Sequence, residues 1–465
     1  MSILIKFLKS SGIYFVGNVL TKLVSFFLLP LYTTHIPPNQ SGYFDLSYSV
    51  LSVLVPIVFL EIWSAIMRYT FDYNDEEDQF KVLFNGMLIF IGSLIIFTIG
   101  AFTLGSFIQI DYLPYVFLYG VFTALQTCYS YIVRTYGYNI TFAISGIIGS
   151  IINSLSNIIM ILIFHMQITS LYLASIFGLF VQVIIMEWKM KVFSHFSFRL
   201  FDKNLIKQMI IFSLPLALNT ACFWFLSGYN RVGISNLLGL DATGVYSIAA
   251  KFTYVIGLVS NCFSLAWQEL VYSMGNRNEE KSKLYSVASN YYIKFLMFGL
   301  LLLLPLVQLV FPLFVKNQYM SAYSLIPLYL LATVASIYSG FLGNIFSAEK
   351  KNNIIFNSTI VAAIVNVSLF HILVSVLGIQ AANIALFCGF FVNIIMRLLL
   401  LRQSVSIHLN YKMIIFTFTL FGVLFAIYMT NNYIINGISF VVIAVITLYS
   451  FRDLISLFIN KVRKR

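Results

Sequence analysis

The sequence predicts an all-α polytopic membrane protein, and three observations carry that expectation. First, the chain is 60% hydrophobic and only 9% charged, where soluble globular domains carry about 25% charged residues. Second, apolar runs of roughly 20 residues, the length that crosses a bilayer core as a helix, recur along the whole chain. Third, Lys and Arg collect in alternate breaks between those runs, as they do on the cytoplasmic side of membrane proteins.

The runs number about fourteen, at 11–33, 42–66, 82–104, 113–133, 140–164, 169–187, 208–230, 244–268, 291–314, 323–345, 355–376, 381–401, 413–430 and 434–451. The first ends in LYTTHIPP without a small-residue cleavage site, so it reads as a retained span and not a signal peptide. The second opens on Ser41-Gly42-Tyr43-Phe44, where Ser caps the helix and Gly allows close backbone approach. Pro30, Pro56, Pro215, Pro305 and Pro327 are positions at which spans can kink. No break between runs much exceeds about 20 residues, that at 188–207 being among the longest, which leaves no room for a soluble catalytic domain. The acidic run Tyr73 to Asp78 reads as a solvated loop face, and the terminal KVRKR as a segment lying against anionic headgroups.

A net charge of +12 in a soluble protein would suggest nucleic acid, but here its placement argues otherwise. Lys6 and Lys9, Arg68 and Lys81, Arg134, the group from Lys189 to Lys207, Arg277 to Lys294, Lys350 and Lys351, Arg397 to Lys412, and Arg452 to Arg465 all fall on one side. The opposite breaks, near His35, Asp111, His165, Leu377 and Asn431, contain no Lys or Arg. Both termini are therefore expected in the cytoplasm, with no nucleic-acid partner. Cys128, Cys222, Cys262 and Cys388 sit in apolar runs without paired spacing, so neither a disulfide framework nor a zinc site is expected. Gly-rich phosphate loops, metal-spaced His clusters and a nucleophile beside a base are absent from the sequence. An enzyme is not expected, nor a cofactor, catalytic residue or metal.

A faint internal repeat organises the spans. Thr243-Gly244-Val245-Tyr246 opens the eighth as Ser41-Gly42-Tyr43-Phe44 opens the second, six spans earlier, and Asn18 and Asn219 occupy similar places in the first and seventh. An even displacement gives two halves of the same orientation, related by an axis along the membrane normal. The expected architecture is two six-helix lobes related by pseudo-two-fold symmetry around a central cavity, 1–200 and 201–405, with two further spans and a basic tail at 406–465. The first, second, seventh and eighth spans would line the cavity.

Four basic residues escape the cytoplasmic pattern: Lys22, Arg231, Lys251 and Lys316. Lys316 belongs to an outer loop and reads as solvated. Charge at membrane depth costs roughly 2.5 to 3.5 kcal/mol on insertion scales, so such residues face a bundle interior or cavity and often mark an ion path. Lys22 lies roughly 16 Å into the first span and Lys251 roughly 10 Å into the eighth, at helical rise. Arg231 is near the outer end of the seventh, where snorkelling to headgroups is the competing role; for Lys22 it is a structural ion pair. Candidate counter-ions are Asp45, Glu61, Glu187, Asp241 and Glu269, of which Asp45 and Glu61 are the carboxylates that could bind a coupling proton or sodium ion. Asn18, Asn219 and Tyr246 could meet sugar hydroxyls or rings, although Asn in membrane helices also bonds helix to helix.

The opening GNVLTKLVSFFLLPLYTTHIPPNQSGYFDL, the IMRY from Ile66 to Tyr69, and RVGISNLLGLDATGVYSIAAKF resemble the Wzx-type polysaccharide flippases of the multidrug, oligosaccharidyl-lipid and polysaccharide exporter superfamily. The resemblance implies a bacterial cytoplasmic-membrane protein with two six-helix lobes and two added C-terminal spans. It implies alternating-access translocation of undecaprenyl-diphosphate-linked oligosaccharide, for O-antigen or capsule, through a cationic cavity that Lys22, Arg231 and Lys251 would line. A polysaccharide polymerase and a chain-length regulator would be partners, besides membrane lipids. A peptidoglycan-precursor (lipid II) flippase, whose substrate also carries a diphosphate, stays open as an alternative. A small-molecule exporter of the same superfamily fits a basic cavity poorly, and a membrane polysaccharide polymerase lacks its large outer loop here.

Overall fold

A bilayer offers the backbone no water, so a spanning segment must satisfy its N–H and C=O groups internally. The computed structural model, which describes residues 26–73, 75–273, 278–349, 351–402 and 407–452, meets that demand with helices, and no strand occurs among the described residues. Packing divides the chain into two units, Met1–Ser247 and Ile248–Arg465.

The first unit contains α1 (Leu29–His35), α2 (Pro38–Val58), α3 (Ile62–Thr70), α4 (Glu76–Phe107), α5 (Leu113–Thr135), α6 (Asn139–Leu162), α7 (Ile168–Met190), α8 (Lys203–Ser227), α9 (Tyr229–Leu238) and the start of α10 (Leu240–Ser273). The second holds the rest of α10, then α11 (Asn278–Phe314), α12 (Ala322–Ala348), α13 (Asn352–Leu377), α14 (Gln380–Leu401), α15 (Tyr411–Met429) and α16 (Tyr433–Ser450). Twelve helices among the described residues are long and apolar enough to cross a membrane, and each coincides with one expected span. Of the other two expected spans, the first lies mostly outside the described residues. The eighth falls on α10, a 34-residue helix that is not among the twelve. The protein is a multi-pass membrane protein.

The second expected span is not one helix. Pro56 lies inside α2, and the helix ends at Phe59. Leu60 and Glu61 then take left-handed backbone angles, φ 53° and 49°, a costly conformation for side-chain-bearing residues. Glu61 N–H donates to Pro56 O at 2.8 Å, and the chain resumes as α3. Inside the first unit an aromatic core holds α2 in place. Phe44 packs edge-on to Tyr172 at 5.0 Å and stacks with Tyr119 at 5.8 Å, while Tyr172 Oη donates to Ser47 Oγ at 2.8 Å.

The acidic run does more than face solvent: Glu76, Glu77 and Asp78 form the first turn of α4, where negative charge is favoured by the helix dipole. The link between α7 and α8 is pinned by Asn85, fully buried on α4. Its amide donates to Leu200 O at 2.8 Å and accepts from Asp202 N at 2.9 Å. Asp202 then caps α8 through Asn204 N and Leu205 N and pairs with Lys81 at 2.8 Å. Lys81, with those backbone donors, holds the Asp202 carboxyl below its ordinary value, so this link is present above the usual carboxylate range and is lost only as pH falls below it.

In the second unit, Tyr323 and Tyr428 stack at 4.1 Å. Each hydroxyl donates to the other residue's carbonyl, at 2.7 and 3.1 Å, which fastens α15 to α12. Replacing Asn85 by Ala strips both partners from the α7–α8 link. The expected cost is on the order of 1–3 kcal/mol, read as a lower midpoint in detergent thermal-unfolding curves; an unchanged midpoint would contradict the pinning role.

Candidate functional site

Four residues of α2, Pro38, Gly42, Asp45 and Ser49, recur at spacings of four, three and four, so they form one stripe along the helix. That stripe docks on the 224–244 segment. At one end the two repeat-related glycines meet. A Cβ on Gly42 would lie 2.0 Å from Leu240 O and 2.8 Å from Gly244 N, and one on Gly244 would lie 2.0 Å from Pro38 O. Backbone touches backbone there, and only residues without a side chain allow it. At the other end, Trp224 Nε1 donates to Ser49 O at 2.7 Å and Ser49 Oγ donates to Gly228 O at 3.1 Å. Gly228 is where α8 gives way to α9.

Between these two fixed points, Arg231 Nε donates to Asp45 Oδ2 at 2.6 Å. The side chains are 16% and 20% exposed respectively, so both charges are largely withdrawn from water and compensate each other at this contact. An Arg that merely snorkelled would present its head outward; this one turns into the packed face of α2. Further along the seventh span, Thr220 Oγ1 donates to Glu61 Oε2 at 3.0 Å, with Ser64 Oγ at 3.5 Å from Oε1. Glu61, a candidate counter-ion by sequence, is half-buried and bonded to α8.

The structure thus brings together Arg231 and Asp45. Lys22 and Asn18 lie outside the described residues. Asn219 is exposed on α8, and Lys251 is half-buried on α10 within the second unit. Tyr246 is only 1% exposed, its ring inside the packing. Of the other candidate counter-ions, Asp241 is exposed in the first turn of α10. Glu187 closes the end of α7, accepting from Tyr129 Oη, Val192 N and Phe193 N at 3.0, 3.0 and 3.2 Å. The Glu269 side chain lies outside the described set.

One membrane cation was missed. Arg397, placed by sequence among the cytoplasmic charges, is 5% exposed within α14. Its guanidinium donates to Ser339 O at 2.6 Å, Ser339 Oγ at 3.2 Å, Ser358 Oγ at 3.1 Å and Thr359 Oγ1 at 3.3 Å. Ser339 Oγ in turn donates to Asn393 Oδ1 at 3.0 Å, and Asn393 Nδ2 to Ser358 O at 3.2 Å. Among the described residues its partners are all neutral oxygens, which tie α12, α13 and α14 together. The available signal was the pair Asn393 and Arg397, one turn apart, opposite the Ser358-Thr359 pair in an otherwise apolar run.

Three comparisons bear on this arrangement. Residues 7–267 match the model of the family described as polysaccharide biosynthesis protein. The capsular polysaccharide biosynthesis protein CapF of Staphylococcus aureus is 23% identical over 265 residues, 55% of this chain and 63% of CapF; the matched stretch therefore spans less than two thirds of that relative. Among solved structures, the lipid II flippase MurJ in an inward closed conformation superposes with a TM-score of 0.71 at 13% identity, over 95% of this chain and 99% of MurJ. An inward-facing multidrug resistance MATE family transporter of the MOP superfamily gives 0.64 at 16% identity, over 84% and 94%. These likenesses establish a shared fold.

The glycine crossing is directly testable. Gly42→Ala or Gly244→Ala forces a methyl group into a backbone oxygen, so α2 must move off the 239–244 segment. Either variant should lose about 1–3 kcal/mol by overpacking, seen as a reduced thermal midpoint, while Gly92→Ala, in open space on α4, should leave the midpoint unchanged; equal midpoints for all three would refute the crossing.

Proposed function

The chain belongs to the polysaccharide biosynthesis protein family, and from that membership we propose that it is a flippase. Its substrate is an undecaprenyl-diphosphate-linked oligosaccharide repeat unit, carried from the cytoplasmic to the outer leaflet of the cytoplasmic membrane. The observation that supports this most is the Arg231–Asp45 pair, a largely buried cation held by a carboxylate in a fold shared with MurJ and MATE transporters.

The tail of such a lipid is at home in the bilayer, and its diphosphate-sugar head is not. Bare charge in hydrocarbon costs tens of kcal/mol by a Born estimate, so the head needs cationic, hydrogen-bonding partners along its route. A guanidinium meets phosphate oxygens with charge-assisted and bidentate hydrogen bonds. Asp45 is then the resting counter-ion of Arg231, displaced when the diphosphate arrives and restored when it leaves. A proton or sodium ion on Asp45 would loosen its hold on Arg231, which is how an ion gradient would bias the exchange. Lys22 supplies further positive charge to the same headgroup, and Asn18 and Asn219 serve the sugars; Tyr246, buried in the packing, does not. Both termini lie in the cytoplasm, and the lipid-linked product passes to a polymerase and its chain-length regulator.

A second reading, translocation of the peptidoglycan precursor, is favoured by the likeness to the lipid II flippase and uses the same chemistry at Arg231. Cells separate the two. Deleting the gene should abolish surface polysaccharide, leave lipid-linked repeat units on the cytoplasmic face and spare cell-wall synthesis; a cell-wall defect with intact surface polysaccharide supports the second reading. Arg231→Ala, at wild-type abundance, should cut translocation on the order of tenfold or more, with Arg231→Lys between the two. Wild-type surface polysaccharide in Arg231→Ala cells would remove this residue from the route.

A further inference from the structure

A cavity of about 640 Å³ opens in the first unit at the junction of three chain segments, away from the Arg231–Asp45 pair. Its size is that of small-molecule sites. Glu76 and Phe80 reach it from the first turns of α4, Tyr136 and Tyr138 from the link between α5 and α6, and Trp188 and Lys189 from the end of α7. The link is shaped by Gly137, whose φ of +79° closes α5. Gly137 N donates to Arg134 O at 3.0 Å and Tyr138 N to Val133 O at 2.9 Å, a glycine-terminated helix end that sends the flanking tyrosines to one cup.

The lining has two kinds of chemistry. Phe80 and Tyr136 stack at 6.0 Å with 20° between their planes, and Trp188 is 82% exposed. Lys189 Nζ lies 4.6 Å above the Tyr138 ring. Set among these rings is Tyr136 Oη, buried and without a hydrogen-bond partner among the described residues. Burial and the nearby Glu76 charge push that phenol above its ordinary range, so it remains a neutral donor. A buried polar atom of this kind needs a partner.

Each simple ligand class leaves part of this lining unused. An acyl chain would strand the phenol, the carboxylate and the ammonium. An inorganic anion would meet Lys189 and Lys191 but leave the rings unused and be repelled by Glu76, and a quaternary ammonium would suit the rings and Glu76 but be repelled by both lysines. A pyranose ring uses everything: its C–H face packs on aromatic faces, and its hydroxyls, both donors and acceptors, answer the phenol, carboxylate and ammonium. We propose that this cup is a saccharide-binding site, with a sugar face on Trp188 and Tyr138 and hydroxyls bonded to Tyr136 Oη and Glu76. The identification of that sugar with the substrate's glycan rests on the flippase reading; the binding itself does not.

Saturation-transfer NMR on the full-length protein in phosphatidylcholine nanodiscs, free of sugar-headed detergent, tests it with glucose, galactose, N-acetylglucosamine and glucuronate as probes. At least one should receive transfer at its ring protons. That signal should fall about tenfold in Trp188→Ala, fall in Tyr136→Phe, and persist in Arg231→Ala. Trp188 is so exposed that its removal should spare folding, and Tyr136→Phe keeps the stacked ring. No transfer to any probe, or equal transfer in Trp188→Ala, overturns the site. Retention of phosphatidylglycerol by wild type but not Trp188→Ala, without sugar transfer, overturns it in favour of a lipid headgroup. If sugars bind while Arg231→Ala cells export normally, the cup stands and the Arg231 route falls; the reverse pattern leaves the route and removes the cup.

Discussion

A guanidinium and a carboxylate 2.6 Å apart, one on the ten-residue α9 and the other on the span-length α2, set the terms for the first unit. Neither charge tolerates burial alone, so α2 and α9 must approach until Nε and Oδ2 meet. Backbones come that close only where side chains are absent. Gly42 and Gly244 supply the contact on one flank, and the Ser49, Trp224 and Gly228 bonds fix the other. The left-handed Leu60 and Glu61 end α2 just beyond this docked stripe, so the helix that carries Asp45 is free of the direction taken by α3.

Two arginines, Arg397 buried and Arg231 half-buried, differ in the oxygens that hold them. Arg397 is surrounded by serine, threonine and carbonyl oxygens from two further helices. Releasing it would leave several buried oxygens unpaired at once, which suits a fastener. Arg231 is held by a carboxylate, and another anion can take a carboxylate's place oxygen for oxygen. The chemistry of its partners suits Arg397 to permanence, whereas the Asp45 carboxylate beside Arg231 is what the flippase proposal takes to be exchanged.

Much of this was legible in the sequence because the bilayer leaves so few options. Apolar runs of spanning length became helices, and Arg231 and Asp45 stood out as charges where charge is expensive. The repeat marked Gly42 and Gly244 as places of close backbone approach, yet could not say that the two would press against each other's helices, since that is a property of the crossing and not of either segment. Arg397 was hidden by its position, only about 6 Å from the end of its helix at the usual rise, where an arginine ordinarily reaches water. The interruption after Phe59 was unreadable for a related reason: hydropathy continues across it, and only the backbone at Leu60 and Glu61 records the break. The aromatic cup escaped notice because Tyr136, Tyr138 and Trp188 each look like interfacial aromatics until the fold gathers them.

The account turns on Arg231 trading Asp45 for a diphosphate, and the most direct measurement is a double-mutant cycle on affinity. Binding of undecaprenyl diphosphate by the purified protein would be compared for wild type, Asp45→Asn, Arg231→Ala and the pair. Competition predicts that Asp45→Asn tightens binding about tenfold when Arg231 is present and has no effect when it is absent. An equal effect of Asp45→Asn in both backgrounds, or weaker binding when Arg231 is present, would contradict it.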